Sequence, residues 1–117
     1  MADLSYPTLR TRMENKRRYI LGHIEKHDHD LHALEHALEQ KIRGGVQISA
    51  AVLTTINNRK NTFKATIDKY KDAVDISAKA ALHRRESKRK IKMYAKAERL
   101  LNQAWAELTS ISFEDIV

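Results

Sequence analysis

Cysteine is absent from the 117 residues. That rules out a disulfide framework and any thiolate metal site. Proline occurs once, at Pro7, and glycine three times, at Gly22, Gly44 and Gly45. Collagen-like and linker-like compositions are excluded with them. No apolar run exceeds a few residues, so no membrane span and no membrane partner are expected. The opening MADLSYPTLR has no apolar core of the kind a signal peptide needs. The plainest expectation is a cytoplasmic chain. Its length suits one domain, residues 1–117.

Strand signals are as scarce as the breakers. No period-2 alternation persists, and Ala, Leu, Glu, Lys, Arg and Gln dominate, all good helix formers. The expected fold is all-α. Helix 1 is expected over about 9–43, entered through Pro7 or capped by Thr8. Leu9, Met13, Ile20, Ile24, Leu31, Leu34, Leu38 and Ile42 form one narrow stripe along it. Gly44 and Gly45 end it, and Ser49 is placed to cap helix 2, about 49–82. There Val52, Ile56, Phe63, Ile67, Tyr70, Val74, Ala78 and Ala81 repeat the pattern. Two long single-stripe helices joined by a short Gly-containing loop predict an antiparallel hairpin with coiled-coil-like packing.

After Leu82 the pattern changes. Residues 83–90 hold no apolar side chain, and the stripe then resumes through Met93, Tyr94, Ala97, Leu100, Leu101, Ala104, Trp105, Leu108 and Ile111. Projected on one unbroken helix, the new stripe sits roughly 150° from the old one. Either the chain turns near residues 83–87, with Ser87 as a cap, and helix 3 (about 87–111) folds back as a three-helix bundle, or helix 2 continues as one long rod. The first is preferred, because a two-helix hairpin has a thin core. Spare apolar surface argues for a homodimer. Residues 1–7 and 112–117 are expected to fray.

The formal charge is +7, and it is concentrated. Residues 83–99 carry eight Lys/Arg against two Asp/Glu. Arg85, Lys88, Arg89, Lys92, Lys96 and Arg99 fall on one helical face opposite the Met93–Leu101–Leu108 stripe, and Arg84 adjoins them. Such a ribbon matches the regular phosphates of a nucleic acid, and it would bind them without reading sequence. The bland reading is a solvated face that keeps a bundle soluble. Glu86 and Glu98 are too few to neutralise the ribbon locally. Phe63, Tyr70 and Trp105 are read as core, leaving Tyr6 and Tyr19 as candidate exposed rings, so duplex DNA or RNA is favoured over single strands. A second cluster, Arg10, Arg12, Lys16, Arg17 and Arg18, joins the ribbon only if helices 1 and 3 lie side by side.

Histidines crowd into helix 1. His29, His32 and His36 share its outer face, but they span too much axis for one ion. A polar face is expected, not a metal site. His27 interrupts the apolar stripe and is read as a hydrogen-bonded seam residue, near Lys69 or Tyr70. No nucleophile elbow, phosphate loop or HExxH occurs, so neither an enzyme nor a cofactor is expected. What remains is a small binding protein whose basic helical face contacts nucleic-acid backbone. Its rival is a protein-interaction factor (an inhibitor, adaptor or assembly chaperone of the viral or mobile-element kind) that clamps an acidic protein surface.

Overall fold

The computed structural model describes residues 6–82 and 88–113. They form three α-helices, α1 (Tyr6–Arg43), α2 (Ala50–Ala81) and α3 (Lys88–Ser110), with no strand among the described residues. Pro7 lies in the first turn of α1, where its missing N–H costs nothing. Arg43 ends the helix in a Schellman arrangement. The Val46 N–H reaches back to Lys41 O at 2.9 Å and the Gly45 N–H to Ile42 O at 3.0 Å. Gly45 takes the left-handed conformation this needs, φ +86°. Ser49 then caps α2, its hydroxyl accepting from the Val52 N–H at 3.2 Å.

α3 folds back. It runs antiparallel to α2, pairing Glu107 with Thr66 and Lys69, while Arg59 donates to Ser112 O. It runs parallel to α1 at a constant offset, Arg12 meeting Glu98, Lys16 meeting Asn102 and Tyr19 meeting Trp105. The displaced stripe is thereby covered within the chain: Tyr94, Ala97, Leu101, Ala104, Leu108 and Ile111 are all buried. Other apolar side chains stay exposed, among them Leu21, Ile42, Val46 and Leu53. The turn and the proposed Ser87 cap lie outside the described residues.

The tightest pairing is α2 with α3, not α1 with α2 as the hairpin expectation had it. The reason is side-chain size. Thr66, Ala73 and Ala80 recur every seven residues on α2, and Ala97 and Ala104 do the same on α3; all five are at most 1% exposed. Small residues in register let two helix backbones approach closely. Large side chains separate α1 from α2, and an opening between Met13, Arg17, Val74 and Ala78 leaves Ala78 and Ala81 exposed. Those two alanines were expected in the seam. Thr66, Ala73, Ser77 and Ala80, one face round, take their place.

The α1 stripe is buried from Leu9 to Leu38, but Ile42 is exposed, since it stands at the hairpin tip beside the equally exposed Val46 and Leu53. The molecule is elongated, 63 × 28 × 19 Å. α3 stops level with His27, so the outer part of α1 and α2 continues as a two-helix projection. At the end of α3 the chain does not fray at residue 112. Phe113 is buried, its ring 5.9 Å from that of Phe63 and 6.4 Å from that of His27.

Candidate nucleic-acid interface

The cations of the basic segment divide cleanly. Lys90 is buried in the seven-residue series that continues through Ala97 and Ala104. Lys88, Arg89, Lys92, Lys96 and Arg99 are exposed, and none makes an ion pair or hydrogen bond with another described residue. They lie along the side of α3 turned away from its buried series, over about 17 Å at the α-helical rise. Arg89, Lys92, Lys96 and Arg99, with Met93 and Ala95, line a broad open depression of about 470 Å³. Arg84 and Arg85 lie outside the described residues.

Both described carboxylates of α3 are consumed elsewhere. Arg12 of α1 makes a two-pronged hydrogen bond to Glu98, Nε to Oε2 at 2.6 Å and Nη2 to Oε1 at 3.0 Å, and Lys16 Nζ stands 3.5 Å from the same Oε2. Burial opposes ionisation of Glu98, yet the Arg12 hydrogen bond and the Lys16 and Arg12 charges outweigh it and hold the carboxyl below its usual range. The same pairing raises the Arg12 guanidinium. Glu107 faces α2. Its burial is likewise outweighed, here by hydrogen bonds from Lys69 and Thr66 and by the lysine charge, so its carboxyl is also held low. The ribbon is left with no described acid of its own helix to quench it.

α1 and α3 do lie side by side, yet this does not simply add the α1 cluster to the ribbon. Arg12 is spent on Glu98, Lys16 is shared between Asn102 and Glu98, and Arg10 pairs with Glu14 at 3.0 Å. What the juxtaposition builds is an aromatic group that the sequence did not reveal. Tyr19, His23 and Trp105 place their ring centroids 4.7–4.8 Å apart in tilted and edge-on contacts. Trp105, expected in the core, is only half-buried. It sits at the border of the α3 stripe, and what lies beyond that border depends on α1, 86 residues earlier.

His27 bonds to neither Lys69 nor Tyr70. Its Nε2 stands 3.0 Å from the carbonyl oxygens of both Leu108 and Ile111 and its Nδ1 2.9 Å from His23 O, so the tautomer protonated at Nε2 donates to the end of α3. It therefore braces the end of α3, where Ile111 O has no backbone partner among the described residues and Leu108 O otherwise accepts only from the Ile111 N–H at 3.3 Å. On the outer face of α1, His32 Nδ1 is taken up by the Asp28 carbonyl at 2.7 Å. Among the described residues no three His, Asp or Glu side chains converge to hold a metal ion. Among them, too, no helix is long and apolar enough to cross a membrane.

Compared with protein-family models, curated proteins and solved structures, the chain matches none.

Proposed function

We propose that the protein is a non-enzymatic binding module whose α3 face, Lys88, Arg89, Lys92, Lys96 and Arg99, engages the phosphate backbone of a nucleic acid largely independently of sequence. Arg84 and Arg85 would extend that face. One observation carries the reading: the five cations stand exposed and unpaired among the described residues, while both described acids of the same helix are bound to α1 and α2. A face serving only solubility has no need to divert its own acids from its cations. Guanidinium and ammonium groups along one helix side recognise successive phosphates and release condensed counterions.

The test is a fluorescence-anisotropy titration with unrelated DNA and RNA duplexes across a salt series. With five phosphate contacts, log affinity for duplex DNA should fall against log salt with a slope of about −4.5. The quadruple variant Lys88→Glu, Arg89→Glu, Lys92→Glu and Lys96→Glu should abolish binding with helicity unchanged by circular dichroism. Binding that ignores salt, or survives the charge reversal, defeats the proposal. No binding even at low salt turns the same face toward the rival, an acidic protein surface.

A further inference from the structure

A pocket of about 220 Å³ opens between α1 and α3, lined by Lys16, Tyr19, Ile20, Asn102 and Trp105. Its lining is mostly hydrocarbon and aromatic. Tyr19, 59% exposed, and the half-buried Trp105 both line it, and their rings touch each other, centroids 4.8 Å apart and planes at 48°, as one continuous aromatic wall. The buried Ile20 adds an apolar wall. Two polar groups complete the lining. Lys16 Nζ donates to Asn102 Oδ1 at 3.0 Å, and because a lysine can only donate, this fixes which end of the amide is oxygen. The Asn102 Nδ2 donors make no bond within the described residues and remain for a guest.

The volume is below that of a drug-sized site, so it suits a single ring system and not an extended ligand. Aromatic walls beside one amide and one ammonium fit a flat heteroaromatic ring with acceptor atoms on its edge. The position narrows the choice. Asn102 follows Arg99 by three residues, a spacing that makes them neighbours on the helix surface. A strand whose phosphates lie on the α3 cations therefore has an aromatic pocket directly alongside.

Resting on the backbone-binding reading, the geometry points to this pocket as a site for an unpaired nucleobase, packed against the joined Trp105 and Tyr19 rings with its polar edge toward Asn102 Nδ2 and Lys16. The preferred ligand is then a single strand or a duplex with an unpaired base, since a paired base has its faces covered by its neighbours in the stack. Stacking on exposed rings is tolerant of sequence, in keeping with a charge-driven interface.

Trp105 is the chain's sole tryptophan, so its emission reports the pocket directly. The full chain is titrated, at low salt, with a 12-nucleotide single-stranded oligonucleotide, an abasic strand of equal charge and a fully paired duplex, while anisotropy of the labelled strand follows total binding. The single strand should quench Trp105 and the other two should not. Tyr19→Ala should weaken the single strand about ten- to a hundredfold and leave the abasic strand nearly unchanged, with Tyr19→Phe restoring affinity. Tyr19 is exposed, and circular dichroism checks that the Ala variant keeps its fold.

Equal affinity for the three ligands without quenching overturns the pocket and leaves the ribbon standing. No anisotropy change with any of them removes both. A Trp105 emission shift that depends on protein concentration alone, without nucleic acid, gives the pocket to a second copy of the chain and overturns the proposal.

Discussion

α3 has two neighbours, and it meets them in opposite ways. Against α2 it presents Ala97 and Ala104 to Thr66, Ala73 and Ala80, a close seam of small side chains that excludes solvent. Against α1 it presents Glu98, Asn102 and Trp105, which reach α1 through long side chains and leave a pocket. The close seam supplies the large, non-directional part of the stability and holds the helix in place. The open one carries charge, rings and hydrogen-bonding groups at the surface. A single helix thus divides holding from binding between its two flanks, and its third side is left for the cations.

The most direct way to break this contrast is to overfill the close seam. Ala97→Leu with Ala104→Leu should force α2 and α3 apart, at about 1–3 kcal/mol per site. That is a large share of the roughly 5–15 kcal/mol typical of a whole domain. The readout is the midpoint of urea unfolding. The same added bulk at Ala106, exposed on α3, should leave it almost unmoved. Equal midpoints for the two sets of variants would mean that the seam is not close-packed.

A smaller effect is expected where α1 holds the end of α3. His27→Leu keeps an apolar side chain beside Phe63 and Phe113 but strips the side-chain donor from the Ile111 carbonyl, while Leu108 O keeps the Ile111 N–H. A buried acceptor left unsatisfied costs about 1–3 kcal/mol. The loss should be local as well as global: amide hydrogen exchange should quicken in the last turn of α3 before it does so in α2. Unchanged protection there would show that the imidazole does not support the helix end.

The two seams also differed in how far they could be read beforehand. The α1 stripe was legible because Leu9, Met13, Ile20 and Leu31 are large and apolar, and Gly45 and Ser49 mark ends whose backbone needs are local. The exposure of Lys88, Arg89, Lys92, Lys96 and Arg99 followed from helical arithmetic against Tyr94 and Leu101. The α2 face toward α3 was not legible. Thr66, Ser77, Ala73 and Ala80 carry almost no hydrophobic signal; their virtue is smallness, which matters only once a second helix lies against them. Glu98 and Trp105 fail for another reason. Their partners Arg12, Lys16 and Tyr19 come from a helix far earlier in the chain, and no local rule specifies an offset of 86 residues.

The smallest expected effect separates the seams by pH. Burial by itself would raise both the Glu98 and the Glu107 carboxyls, yet their cationic and hydrogen-bonding partners leave each below the ordinary value of 4.5. Near and below that value the unfolded chain then binds more protons than the folded one, so stability falls with falling pH. The contribution is fully present above the unfolded value and lost as pH drops through the lowered folded values. Glu107→Gln, which leaves Lys69 without its carboxylate across the α2 seam, should cost about 0.2–1 kcal/mol at neutral pH, as partly exposed pairs do. Glu98→Gln should instead loosen α1, releasing Arg12 and Lys16 beside the aromatic pocket and making Trp105 emission more sensitive to added iodide. In urea titrations repeated between neutral pH and pH 3, each variant should lose part of the acid slope, and the double variant more. Should the double variant keep the full wild-type slope, the acid sensitivity belongs to other carboxylates, and neither seam is held by its glutamate.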